Sequence, residues 1–279
     1  MKKITLLLIT TVLSLSAVSL DDKVAYLNNV QELIIMTQKM REDTNVYVKG
    51  GNILLSEIDD DRDNVATSLR NLRHKLKTVD ISTNDEFMKL HTYMQSLNEV
   101  AAELDTMTTF RAYSLLIREM LTLGTNVQEN FFADGSERQK RVSAVMMKNI
   151  LPMTEHIGKL RGLGAGMAAC GQCSDDEVNY SKEYLTDVTD DLNELIVLMK
   201  ALNASYPNSY PRNIEDQLDR FQSDVISYLE FIETKFSKTE ISEIETVTVD
   251  AYDFFSHGTS VIDHTLSFYE MNVMILKNQ

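Results

Sequence analysis

Two arginines, Arg41 and Arg161, occupy positions in this sequence that call for a chemical explanation. Each closes a Lys-x-Arg triplet, Lys39-Met40-Arg41 and Lys159-Leu160-Arg161, about two turns before a tight turn. Arg41 falls seven residues after Ile34, on the face that Leu27, Val30 and Ile34 turn inward. Arg161 falls four after Ile157 and beside Leu160. Neither has a carboxylate three or four residues away on its own helix. Those positions hold Thr37, Gln38, Thr44 and Asn45 around Arg41, and Ile157, Gly158, Gly164 and Ala165 around Arg161. A guanidinium drawn into an apolar interior must find its anion on another helix or on a ligand, because an unpaired buried charge is very costly. The plainer alternative is a cross-bundle Asp or Glu, or a side chain that snorkels to water. Arg41 and Arg161, with Thr37 and Gly162 beside them, form the candidate ligand-binding set, and the chemistry is non-covalent capture of a small anion.

The second candidate is Cys170-Gly171-Gln172-Cys173, between two helices. A short disulfide between Cys170 and Cys173 that pins the turn is the preferred reading, with a redox-active pair and a metal site as alternatives. A haem-attachment motif would need His after the second Cys, where Ser174 stands, and thioredoxin-like chemistry would need strands. His74, His91, His156, His257 and His264 are scattered without metal-ligand spacing. Asp59-Asp60-Asp61 lacks the glycine and alternate ligands of a calcium loop. No nucleophile elbow, P-loop or dinucleotide fingerprint is present. The expectation is a protein that is not an enzyme and carries neither metal nor cofactor.

The elements that must position these residues are helices. Pro is scarce at 3, Gly numbers 10 and Trp is absent, while straight-chain residues abound. Apolar spacing of three and four predicts a helix from about Asp22 to Val48, stopped by Gly50-Gly51, and a second over roughly Leu54 to Thr78. Thr83-Asn84-Asp85-Glu86 reads as a capping box opening a third helix that runs, with a break at Thr106 to Thr109 or at Gly124, to about Phe132. After Ala133-Asp134-Gly135-Ser136 a long helix carries Val142, Met146, Ile150, Met153, Ile157, Leu160, Gly164 and Met167, with Pro152 kinking it. Ser174 and Glu177 cap the next, to about Leu202; two more follow, Ile214 to Ser237 and Glu240 to Lys277. No strand pattern competes. The expected fold class is all-α, two stacked antiparallel four-helix bundles sharing long helices. Gly158, Gly162 and Gly166 repeat every fourth residue, which favours close helix packing slightly over a ligand cleft.

Met1-Lys2-Lys3 and the uncharged run from Ile4 to Leu20 have the layout of a secretory signal, cleaved after Ser19, leaving a helical domain over 20–279. The expected location is therefore the periplasm, with anchoring by an uncleaved N-terminal segment as the alternative. A formal charge of −15 argues against nucleic acid as a partner.

Leu151-Pro152 and Gly158-Lys159-Leu160-Arg161-Gly162-Leu163-Gly164-Ala165-Gly166 resemble the "LP…GxLRGLGAG" segment of all-helical periplasmic sensor regions in bacterial chemoreceptors, diguanylate cyclases and histidine kinases. Thr37-Gln38-Lys39-Met40-Arg41 with Thr44-Asn45 is similar to their opening helix, and Phe255, Gly258-Thr259 and Ile262-Asp263 to their closing one. Among such regions the chain resembles nitrate- and nitrite-sensing helical domains and type IV pilus chemotaxis input domains. The resemblance implies a sensor module that holds a small anion such as nitrate on Arg41 and Arg161 and signals through a membrane-bound signalling protein, with a homodimer allowed. Glu42 departs from the pattern, which has glycine there. Two alternatives stand beside this reading. One is a helical interaction or scaffold protein without a small ligand; the other is a redox-responsive protein using Cys170 and Cys173.

Overall fold

The computed structural model describes residues 18–53, 55–77, 85–170, 174–236 and 250–278. Helices α1 (Leu20–Val48), α2 (Leu55–Lys77), α3 (Asp85–Val100) and α4 (Thr106–Phe132) form a first set. Helices α5 (Glu137–Val145), α6 (Leu151–Cys170), α7 (Asp175–Ser205), α8 (Ile214–Phe236) and α9 (Ala251–Lys277) form a second, and no strand occurs among the described residues. The all-α class expected from the sequence is the observed one.

Local chemistry explains the boundaries. Ser19 caps α1 through its side chain, and Gly50, at φ 81°, turns the chain out of it. Ser174 and Glu177 make the expected reciprocal cap of α7, and Ser136 with Gln139 makes another at α5. The break in the third predicted helix lies at 101–105, just before the expected place, because Asp105 caps α4 by accepting from the Thr108 amide. Gly124 lies inside α4, packed on Val30 and Met147. The capping box at Thr83-Asn84 and the apolar stripe through Ile241, Ile244 and Val247 lie outside the described residues, as does most of the leader expected over 1–19.

Pro152 does not simply kink its helix. A π-helical turn over Met146–Ile150 joins α5 to α6, and the Leu151 amide donates to the Met146 carbonyl five residues back. Proline has no amide to give the carbonyl four residues before it, and its ring crowds that carbonyl. One widened turn relieves both problems and keeps the helix running.

The two sets have the same internal plan. In the first, α1 lies between α2 and α4, and α3 packs on α4; in the second, α6 lies between α7 and α9, and α8 packs on α9. The sets meet lengthwise along α1 and α6, which run parallel. Gln38 faces Gly158, Glu42 faces Gly162 and Asn45 faces Gly166. The glycine row on α6 is thus a helix-packing device, admitting polar side chains of α1 where a Cβ would stand. Gly164, on another face of α6, is packed against Phe254 of α9.

That junction is not an ordinary core. A helix buried on all sides is normally apolar all round. Between residues 37 and 46, however, α1 buries Thr37, Gln38, Arg41, Glu42, Asp43, Thr44 and Asn45. Conventional core surrounds this polar stretch, with Val30, Leu33, Ile34 and Met40 on α1 and Ile157, Leu160 and Leu163 on α6 all at 2% exposure or less. Each such side chain contributes roughly 1.5–3 kcal/mol by leaving water.

Candidate functional site

Both arginines point inward, Arg41 at 0% exposure and Arg161 at 6%. Their mates come from the partner helix of the α1–α6 junction. Arg41 Nη1 donates to Glu155 Oε1 of α6 at 2.5 Å, and Arg161 Nε lies 2.7 Å from Glu42 Oε2 of α1. The second contact lies off the N–H direction. It is an ion pair rather than a directed hydrogen bond, so Arg161 Nε and both Glu42 oxygens have no hydrogen-bond partner.

The remaining surroundings repeat from one arginine to the other. Arg41 Nη1 donates to Ser114 Oγ on α4 at 2.8 Å, and its guanidinium lies 4.8 Å from the centre of the Phe110 ring. Arg161 Nη1 donates to Thr259 Oγ1 on α9 at 2.9 Å, and its guanidinium lies 5.3 Å from the Phe255 ring. In each half an aromatic ring and a hydroxyl four residues later share one helix face and grip one guanidinium by cation–π and hydrogen-bond contact.

Several buried groups here lack partners. Arg41 Nε and Nη2, both polar atoms of the Gln38 amide, Asn45 Oδ1 and Glu155 Oε2 have none. Gln38 Oε1 and Arg41 Nη2 both pack against Gly158, 3.1 and 3.3 Å from where a Cβ would sit. Unsatisfied buried polar groups of this kind each cost about 1–3 kcal/mol. Three of them, Arg41 Nε and Nη2 and Gln38 Nε2, are donors, which is what an acceptor-rich ligand requires.

The electrostatics centre on Glu42. Burial pushes its carboxyl up to about 7; Arg161 pulls the other way, Asp43 adds to the rise and Arg41 opposes it. Burial also lifts Asp43, to about 6, with Asp61 raising it and Lys39 lowering it. Around Arg41, burial lifts the Tyr184 hydroxyl to about 12, against the pull of Arg41. On the other side burial raises Tyr228, which feels both Arg161 and Glu42 and whose hydroxyl has no partner.

Of the residues expected to bind ligand, Arg41 and Arg161 both lie at the α1–α6 junction, each paired with a glutamate of the other helix. Thr37 is buried nearby, but its hydroxyl donates back to the Leu33 carbonyl at 2.8 Å and lies 3.7 Å from the Met120 sulfur. Gly162 contributes its carbonyl, which accepts from Asn45 Nδ2 at 2.8 Å. Sequence reasoning missed Glu155, Ser114 and Gln38. The Phe110–Ser114 spacing, matching Phe255–Thr259, was the available signal. Cys170 is exposed at the end of α6, and Cys173, with the disulfide expected of it, lies outside the described residues. No group of three or more metal-ligating side chains occurs among the described residues.

Neither a protein-family model nor a curated relative matches this chain. A solved structure does, described as the structure of the NasR transcription antiterminator. Its TM-score is 0.66 at 15% sequence identity, over 92% of this chain and 68% of that one. The likeness is one of fold.

It corrects five expectations. The resemblance to periplasmic sensor regions of chemoreceptors, cyclases and kinases is overturned, since the structural neighbour is a transcription antiterminator. The glycine row behind the resemblance is a device for packing α6 on α1, the inward arginines are paired with glutamates across that junction, and neither feature carries information about compartment or output. The chemotaxis assignment and the periplasmic location fall with it, and no helix among the described residues is long and apolar enough to cross a membrane. The membrane-bound signalling partner and the exclusion of nucleic acid are withdrawn as well. The exclusion rested on net charge, which is a sum over the chain and does not describe any one surface.

Proposed function

We infer that this chain is a regulatory, non-catalytic module that reads a small oxyanion of the nitrate type at the α1–α6 junction. The observation that carries this reading is the set of buried donors without partners, Arg41 Nε and Nη2 and Gln38 Nε2, with Arg41 Nη2 packed at Gly158. A planar guanidinium offers donors in a fork that suits a planar oxyanion. Gln38 and Ser114 stand within the same cluster to complete the shell.

The four charged groups sum to zero, two arginines against Glu42 and Glu155. An anion entering this cluster must therefore displace a carboxylate or bring a proton with it. Glu42 is suited to the second course, because its carboxyl is already lifted to about 7. Its protonation releases Arg161 and restores neutrality around the bound anion.

Binding would act on the packing of α1 against α6, and packed helices answer such changes with shifts of about 1–2 Å. The fold's likeness to a transcription antiterminator supports reading the output as control of gene expression. Antitermination itself is not carried over, since the match spans 68% of the NasR chain.

The self-paired charges favour one other reading, a helical interaction protein that has filled an ancestral ligand site with its own glutamates. Thermal melts with nitrate, nitrite, chloride and sulfate separate the two. A ligand at 100 times its Kd stabilises the fold by about 2.7 kcal/mol. Nitrate or nitrite is expected to raise Tm in the native chain, and Arg41→Lys and Arg161→Lys to lose that rise while staying folded. No shift with any anion leaves the interaction protein standing.

A further inference from the structure

Arg41 is fully buried, so an anion that reaches it must pass between helices. On the α4–α7 side the two backbones make little contact, and side chains span the space. Arg111 of α4 lays its guanidinium 4.5 Å from the centre of the Tyr180 ring of α7. Lys159 of α6 places its ammonium 4.9 Å from the Tyr184 ring, also on α7. The two rings lie at 25° to one another with centres 6.1 Å apart. Arg111 is exposed, Lys159 and Tyr180 are half-buried and Tyr184 is buried, so this layer runs from solvent inward.

The layer adjoins the Arg41 site. Glu155, which accepts from Arg41 Nη1, lies one turn before Lys159 on the same face of α6. Ser114, which accepts from the same nitrogen, lies one turn after Arg111 on α4. The Tyr184 hydroxyl is close enough to feel both Arg41 and Glu155.

The charges of the layer point the same way. Lys39, Lys49 and Lys148 each hold a carboxylate. Arg111 and Lys159 form no ion pair among the described residues, in a chain with 42 acids to 27 Lys and Arg. An aromatic face holds a cation loosely and leaves it able to take an anion. An anion approaching a chain of formal charge −15 meets net repulsion, and a local pair of free cations is what draws it in.

We propose that Arg111 and Lys159 are the entry port for the oxyanion, capturing it at the α4–α7 mouth beside Tyr180 and Tyr184 and passing it to Arg41. The proposal rests on the oxyanion reading and adds the route to it. Neither cation holds the anion once it lies at Arg41.

Calorimetry for affinity and stopped-flow tyrosine fluorescence for rates test it on the full chain, which has 11 Tyr and no Trp. Sodium nitrate is the probe. Two double variants are compared, Arg111→Gln with Lys159→Gln and Arg111→Glu with Lys159→Glu. Both lose the ring contacts, and they differ from one another in charge. Association is expected to slow about tenfold in the Gln pair and further in the Glu pair, with equal dissociation rates in the two. Rising ionic strength should slow association in the native chain and quicken it in the Glu pair. Arg220→Gln with Lys235→Gln removes the same charge from α8 and should leave both rates native. Equal association in the Gln and Glu pairs, or equal slowing by the α8 pair, overturns the proposal and leaves the anion site standing. No heat with nitrate in the native chain overturns the oxyanion reading itself, and the route with it.

Discussion

The arginine sites of the two halves share one plan and differ in their acids. Both guanidinium groups are gripped by a Phe and a hydroxyl spaced four apart, on α4 in one half and on α9 in the other. Their glutamates are not equivalent. Glu155 lies six residues before Arg161 on α6, whereas Glu42 directly follows Arg41 on α1. Where α1 has Gln38 three residues before its arginine, α6 has Gly158, and the two face each other. Similar frameworks have thus been given different electrostatics. The Arg41 site has a directed ion pair with surplus donors, and the Arg161 site has an acid that can take up a proton.

The largest expected effect comes from removing the arginine that holds its mate by a directed hydrogen bond. Arg41→Ala leaves Glu155 buried at 3% exposure, and stranding a buried charge of this kind costs about 3–5 kcal/mol. Arg161→Ala strands Glu42 instead, which can become neutral. Its cost should be the smaller at pH 6 and grow towards pH 8, and urea titrations of both variants at the two pH values check the ranking. Equal costs at both pH values would break the distinction between the sites.

Next comes the pH dependence of the native chain. A carboxyl lifted from 4.5 to about 7 binds a proton in the folded state that the unfolded state has released. Its contribution is complete below about 4.5 and is lost as pH rises through about 7. The loss is on the order of 3 kcal/mol, at 1.36 kcal/mol per unit. Glu42→Gln should flatten that part of the profile, leaving the part due to Asp43, whose carboxyl is lifted in the same direction. An unaltered profile in the variant would place the titration elsewhere.

Smaller effects sharpen the packing side of the comparison. A Cβ at Gly166 would collide with the Asn45 amide, which is fixed by its bond to the Gly162 carbonyl. Gly166→Ala should therefore cost about 1–3 kcal/mol. At Gly158 the Cβ meets the unbonded Gln38 amide at 3.1 Å and Arg41 Nη2 at 3.3 Å, ends of long side chains that need give by only a few tenths of an ångström. The helix gains roughly 1 kcal/mol there by losing a glycine, so Gly158→Ala should be close to neutral in denaturant melts. A large loss at Gly158 would mean that Gln38 is held after all.

The helices were legible in the sequence because caps and apolar spacing are local. Ser136, Ser174 with Glu177, and Asp105 each act within one turn of their own position. The inward arginines were legible for the same reason, since Arg41 continues the stripe of Leu27, Val30 and Ile34. Their mates were not, because Glu155 and Ser114 lie 114 and 73 residues from Arg41. The π-helical turn escaped as well. Pro152 announces a disturbance without saying whether the helix bends or widens. The mistaken compartment came from motifs that govern how α6 approaches α1, a contact that a helical bundle makes wherever it resides.

In the proposed reading Arg41 and Arg161 hold an oxyanion whose charge is compensated at Glu42. Calorimetric titration with nitrate at pH 6 and pH 8, in buffers of differing ionisation enthalpy, tests it most directly. The prediction is tighter binding at pH 6, net proton uptake at pH 8, and loss of that uptake in Glu42→Gln. Absence of nitrate binding at both pH values, or binding of equal strength with no proton taken up, would contradict it.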